Sequence, residues 1–234
     1  MNLPGLIAFA AIVLFFVALF FWTNRRGPSR SGPPLDVLAA NRGWRIAVKQ
    51  EGLGKGRTIS VSSLKPEGWS LVATRYSNPE SGTMVLTTEF RTLTAVAVPG
   101  SLAIGPPIPL ADKALAASFF APGGIGGRML PALIGADEGG AFQGLELCPQ
   151  PAGGFSAGTV LASGPEPSPA ALAAYEQALA DWQRHHPQDD RFPILLRHGN
   201  TLRLRLRTDL SGSDEIEAFI DLALGLAARI DAPA

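Results

Sequence analysis

Four runs decide the fold: Thr58 to Leu64 (TISVSSL), Trp69 to Tyr76 (WSLVATRY), Met84 to Thr92 (MVLTTEFRT) and Ala95 to Ile104 (AVAVPGSLAI). Each is rich in Val, Thr, Ile or aromatic residues, and the series is punctuated by turn formers: Gly68, Gly82 and Pro99-Gly100. Such runs read as strands. The gaps between them are too short for helical crossovers, so the strands are expected to form an antiparallel meander. Upstream, Leu35 to Asn41 reads as a short helix ended by Gly43, with Trp44 to Val48 extended after it. Glycine and proline number 26 and 20 of 234 residues, a share that suits strands and turns better than a helical bundle.

Downstream the pattern changes. Leu110 to Phe120 is a weak helix, followed by a glycine-rich passage from Gly123 to Gly140. Ser168-Pro169 supplies the N-cap and first-turn signals of a helix whose apolar face is Leu172, Tyr175, Leu179 and Trp182, closing near His186-Pro187. Ile194 to Arg207 reads as a hairpin turning at Gly199-Asn200. Ser213 opens a last amphipathic helix through Ile216, Phe219, Ile220, Ala223, Ala227 and Ile230. The expectation is an α+β fold: a strand-rich, mainly antiparallel domain with two amphipathic C-terminal helices. It occupies residues 35–234, with a possible sub-boundary near 121–165.

Ahead of this domain, Leu3 to Trp22 runs LPGLIAFAAIVLFFVALFFW without a charge. Twenty helical residues span about 30 Å, the thickness of the hydrocarbon core. Leu3, Phe9, Leu14, Phe16, Phe20 and Trp22 mark the run, and Trp22 stands where an interfacial aromatic belongs. A cleaved signal peptide is the competing reading. No Lys or Arg precedes the run, however, and no small-x-small site follows it. Residues 1–23 are therefore expected to be a transmembrane anchor, and 24–34 a basic Gly/Pro/Ser linker. Arg25, Arg26 and Arg30 flank only its C-terminal end, which places the N-terminus outside and the domain in the cytoplasm of a bacterial inner-membrane protein.

Net charge is zero, so nothing global favours nucleic acid. Residues 24–65 nevertheless hold nine basic groups against two acidic ones, +7, balanced by −7 in the remainder. Basic groups near an anionic leaflet are worth about 1 kcal/mol each. One reading rests this segment on lipid headgroups; the other scatters its charges over several faces. Cys148 is the lone cysteine, so no internal disulfide forms.

Three patterns invite a catalytic or binding reading. Gly154-Phe155-Ser156-Ala157-Gly158 matches the nucleophile elbow, with Asp189, Asp190 and His198 following in hydrolase order. That elbow needs a strand before it and a helix after it, whereas Thr159 to Ala162 reads as a strand. His185, His186, Asp189 and Asp190 carry metal-ligand chemistry. Neighbouring histidines diverge by about 100° on a helix, and Pro187 turns the chain, so the cluster reads as helix-end electrostatics. Gly123 to Gly127 and Gly52 to Gly56 resemble phosphate loops in glycine content alone. Arg203, Arg205 and Arg207 alternate with Leu202, Leu204 and Leu206, which puts the arginines on one face to meet an anion, a partner or neighbouring glutamates. No cofactor or metal is expected. The leading functional reading is a non-enzymatic accessory, scaffold or assembly subunit of a membrane protein complex, whose partners are the bilayer and another membrane protein. The alternatives are a membrane-tethered hydrolase and an anionic-lipid-binding module.

Overall fold

The computed structural model describes residues 32–51, 56–65, 68–78, 82–107, 140–142, 144–148, 155–165, 167–186 and 191–230. The expected anchor, the linker arginines Arg25, Arg26 and Arg30, the helix at 110–120, Gly123 to Gly127, and Asp189-Asp190 lie outside these residues. Among the described residues, no helix is long and apolar enough to cross a membrane.

The described chain is α+β, with three helices and a mostly antiparallel seven-stranded sheet. Helix α1 (Leu35–Arg42) ends where Gly43 adopts the left-handed conformation and its N–H meets the Ala40 carbonyl. Strands β1 (Trp44–Glu51), β2 (Gly56–Ser63), β3 (Ser70–Ser77) and β4 (Met84–Gly105) follow as the expected meander. Their registers align Val48, Ile59, Ala73 and Thr88 in one row, and Ala47, Ser60, Val72 and Glu89 in the next. The two-residue period therefore sends Ile59, Val61, Leu71, Ala73 and Phe90 to a buried face and the row of Ala47, Ser60, Val72 and Glu89 to the opposite one.

Two expectations change. Met84 to Thr92 and Ala95 to Ile104 are not separate strands but one strand of 22 residues. Ile194 to Arg207 is not a hairpin either: it forms one 13-residue strand, β7 (Ile194–Leu206), antiparallel to β4 along most of its length. Phe90 faces Leu204 near one end and Ile104 faces Leu195 near the other. Gly199 does take a positive φ, 56°, as a hairpin turn would require. With β4 continuous beside it, the chain absorbs this residue as an irregularity opposite Val98 instead of reversing. Strand β6 (Thr159–Ser163) pairs with the distal part of β4, and β5 (Glu146–Leu147) pairs with β6.

Helices α2 (Pro169–His185) and α3 (Ser213–Ile230) cover the buried face. Ser168 Oγ accepts the Ala171 N–H at 3.2 Å, the cap that the sequence announces. Leu172, Tyr175, Leu179 and Trp182 join Ile216, Phe219 and Ile220 of α3 in one core with the sheet. The polar tips of the large aromatics are satisfied: Tyr175 Oη donates to the Pro193 carbonyl at 2.6 Å, and Trp182 Nε1 to that of Arg191 at 3.1 Å. A smaller cluster of Ala103, Phe142, Leu145, Leu161, Ile194 and Leu196 forms around the distal strands.

Two left-handed glycines separate conformational strain from steric clash. A Cβ at Gly199 meets nothing within 4 Å, whereas at Gly100 (φ 79°) it would lie 1.6 Å from the Ser163 carbonyl oxygen of β6. Gly199→Ala is expected to cost about 1 kcal/mol. Gly100→Ala is expected to cost at least twice that by breaking the β4–β6 contact, as read by urea denaturation. Burial also pushes the Asp209 carboxyl above the ordinary aspartate range, against the opposing pull of Arg75 and Arg57. The folded chain then holds that proton to higher pH than the unfolded chain does, so stability falls as pH rises through the window between the two pKa values. Asp209→Asn is expected to gain on the wild type over that window, measured as melting temperature against pH.

Candidate functional site

Ser156 is exposed and leads into β6 rather than a helix. His198 lies beside Ser101, which aligns with Ser163, whereas Ser156 precedes Thr159, which aligns with Gly105. Four ladder steps, about 13 Å, already separate those levels. The structure does not bring Ser156 and His198 together. His198 Nδ1 instead lies 2.8 Å from Ser101 Oγ, and that hydroxyl donates to the Ala141 carbonyl. A nucleophilic serine gives its proton to the histidine. Here the proton is committed to a backbone oxygen, so the pair clamps residue 141 to the sheet. Sequence reasoning had no route to it, because 97 positions separate the two side chains.

His185 Nδ1 is 2.8 Å from the Asp181 carbonyl, one turn back, where a helix end leaves acceptors open. The His186 ring lies 4.0 Å from that of Trp182. Among the described residues, no three metal-ligating side chains gather. A cleft of about 490 Å³ opens between α2 and α3 beside these histidines. Three of the carboxylates that line it, Asp181, Glu217 and Asp221, have arginine partners. Arg42 holds Glu217 and Asp221 at 2.5 and 2.6 Å, and Asp181 faces Arg184 and Arg229.

The arginine row obeys the period of two. Leu202, Leu204 and Leu206 are fully buried in the main core, and the arginines take the other face. Arg203, itself buried, donates from Nε and Nη2 to both oxygens of Glu89 at 2.9 and 2.8 Å. Arg205 Nη1 stands 3.8 Å from the same carboxylate, and Arg207 is exposed. Arg203 is thus a strut between β7 and β4. The other basic residues do not share one surface. Arg42 faces α3, Arg57 and Arg75 lie toward Asp209 on the helical side, and Arg45 and Lys49 occupy the pleat positions of the opposite face.

Beside this strut the β4–β7 ladder runs out of register. Between Leu93↔Thr201 and Val98↔Gly199, β4 spends five steps against two on β7. From there to Ser101↔His198 it spends three against one. The surplus chain bulges, and the bulge is built from within. Arg197 is buried, and its Nη2 donates to the Val96 carbonyl at 2.7 Å and approaches Thr94 Oγ1 at 3.4 Å. Thr94 Oγ1 in turn lies 3.1 and 3.0 Å from the carbonyls of Val96 and Asn200. Against that fixed backbone, Leu93 and Val96 are 53% and 56% exposed, and Ala95 and Ala97 are exposed as well. By the strand period, Leu93 shares its face with exposed Arg91 and the Glu89–Arg203 pair. An apolar centre with a charged margin is the anatomy of a protein-binding patch. The sequence alternates AVAV here, which reads as half-buried strand; the protrusion follows from a length mismatch with a partner strand a hundred residues away.

The chain matches no protein-family model, no curated protein and no solved structure.

Removing Glu89 deprives the buried Arg203 guanidinium of its carboxylate, whereas removing Arg203 leaves the half-buried Glu89 beside Arg205. Glu89→Ala is expected to cost about 3 kcal/mol and Arg203→Ala less, whereas the double change Arg203→Met/Glu89→Leu returns to within about 1 kcal/mol of wild type, because the buried pair is then replaced as a unit. Chemical denaturation of the three variants checks this.

Proposed function

We propose that the chain is a single-pass, membrane-anchored, non-enzymatic binding protein: an accessory or scaffold subunit of a membrane protein complex in a bacterial inner membrane. In this reading Leu3–Trp22 is the anchor, the N-terminus lies outside, and the α+β domain works in the cytoplasm. The anchor rests on the uncharged run and its one-sided arginines. One observation carries the binding role: the buried Arg197 braces a bulge that holds Leu93 and Val96 in water. Burying a guanidinium costs free energy that a plain turn would not incur. Holding apolar side chains exposed gains nothing for the isolated domain. Both features make sense if the bulge is a preformed anchor for a partner, since a fixed backbone lowers the ordering cost of association. The hydrolase alternative finds less support, because Ser156 and His198 stand at different levels of the sheet.

Leu93→Asp/Val96→Asp is expected to abolish co-purification of the partner in mild detergent. Both side chains are exposed, so stability is expected to change by less than about 1 kcal/mol. Unchanged partner recovery with the double variant, or wild-type protein that purifies alone, would defeat the proposal.

A further inference from the structure

Strands β1 to β4 and β7 present a second face, turned away from α2 and α3, and their registers lay it out in rows. Arg45, Ser62, Ser70, Arg91 and Arg203 form one row, and Ala47, Ser60, Val72, Glu89 and Arg205 the next. Lys49, Thr58, Thr74 and Thr87 form a third, with Arg207 continuing the β7 alternation beside them. Arg45, Ala47, Lys49, Val72, Arg91 and Arg207 are exposed. No described helix packs here, because the apolar faces of α2 and α3 are buried in the core across the sheet.

The two middle strands give these rows only short side chains: Thr58, Ser60 and Ser62 from β2, and Ser70, Val72 and Thr74 from β3. Long basic side chains flank them, Arg45 and Lys49 on β1, and Arg91, Arg205 and Arg207 on β4 and beyond. The result is a shallow trough with a floor of hydroxyls around one valine and basic walls. From β1 to β4 is three strand spacings, about 14 Å. That width admits one helix, about 10–12 Å across with its side chains. Leu93 follows Arg91 on the same face, so the bulge stands at one end of the trough.

The acid within these rows is Glu89, and both its oxygens are held by Arg203. Glu51 has the same parity at the last register position of β1. Six basic groups against these two acids leave the face at +4. The acids of α2 and α3, and Asp209, belong to the helical side, and Glu146 lies on β5 beyond the bulge. An occupant that matches the walls is therefore negatively charged. Nucleic acid is held on sheet faces by aromatic platforms under its bases, and these three rows contain no aromatic residue. A flat leaflet meets the walls and leaves the floor uncovered, whereas a polypeptide segment fills both.

We infer that the partner bound at Leu93 and Val96 continues along the trough as an acidic segment. Its Asp or Glu side chains face Arg45, Lys49, Arg91 and Arg207, and its small or apolar ones face Ser60 and Val72. The inference rests on the binding role proposed above and names the chemistry of that partner. The contact is salt-sensitive, because attraction between exposed charges is screened within a Debye length, about 10 Å at 0.1 M salt.

The test uses the full chain in its own membrane. Val72→p-benzoylphenylalanine places a photo-crosslinker at the centre of the floor, and mass spectrometry reads the linked peptide. That peptide is expected to hold a surplus of Asp and Glu over Lys and Arg. Arg45→Glu/Arg91→Glu, one change on each wall, is expected to lower the yield about ten-fold. Arg45→Lys/Arg91→Lys is expected to keep it. Ser60→Trp fills the floor without changing charge and is expected to lower the yield as well; it decides the matter where the charge reversal fails to fold. A neutral or basic linked peptide, adducts to lipid or nucleic acid alone, or a yield indifferent to wall charge and floor volume overturns the inference. Loss of the partner in Leu93→Asp/Val96→Asp alongside indifferent trough variants overturns the trough and keeps the bulge. Wild-type protein that purifies alone and yields no protein adduct overturns both.

Discussion

The pairing of β4 with β7 is the constraint on which the rest of the molecule depends. It joins segments about a hundred residues apart, so its formation carries a large loop-closure cost before any contact forms. What offsets that cost is apolar: Phe90 against Leu204 at one end and Ile104 against Leu195 at the other, all essentially inaccessible to water. Once the ladder exists, β7 places Leu202, Leu204 and Leu206 under α3. It also delivers the chain to residue 207, from which the loop to α3 is tied down on Thr88. The same pairing brings Arg203 to Glu89 and Arg197 to Val96. The core, the strut and the bulge are thus consequences of one alignment.

That alignment is unequal. Against the twelve residues Leu195–Leu206 of β7, β4 spends the seventeen residues Thr88–Ile104. Surplus backbone in a ladder must leave it, and backbone that leaves must find other hydrogen-bond partners. Arg197 and Thr94 supply them at Val96 and Asn200. A polar scaffold inside and apolar side chains outside is the reverse of what folding alone favours. That inversion is the feature on which the proposed binding role rests.

Much of this architecture is written locally. The period of two in TISVSSL and LRLRLR, the Ser168-Pro169 helix start, the left-handed Gly43 and the spacing of Leu172, Tyr175, Leu179 and Trp182 each encode an element in a window shorter than twenty residues. The meander was legible for the same reason, since short gaps leave no other connection. What the sequence withheld is whatever depends on the identity of a distant neighbour. Gly199-Asn200 has the composition of a tight turn, and only the presence of a continuous β4 makes it a bulge. The alternation of Ala95 to Val98 looks like a half-buried strand, and only the shortness of β7 lifts it out. Arg203 has the same place in a Leu-Arg alternation as Arg205 and Arg207, yet it is buried and they are not, and Arg197, next to Leu196 and His198, is buried as well. The difference lies in Glu89 and the Val96 carbonyl, which no local window contains.

The same argument governs the charge asymmetry of the chain. A run of basic residues close in sequence suggests one basic face, but a strand deals successive side chains to opposite sides and a helix turns them through 100°. Arg42 accordingly goes to the α3 carboxylates, Arg57 to the helical side, and Arg45 and Lys49 to the other. No face can collect them. An end can, because a hairpin meander returns to the same level at every second turn, whichever way each side chain points. Lys49, Arg57, Arg75 and Arg207 come from four different strands or their continuations, and they meet at one level because antiparallel registers place them there. In an antiparallel meander, the charge of one sequence run is accordingly organised by ends rather than by faces.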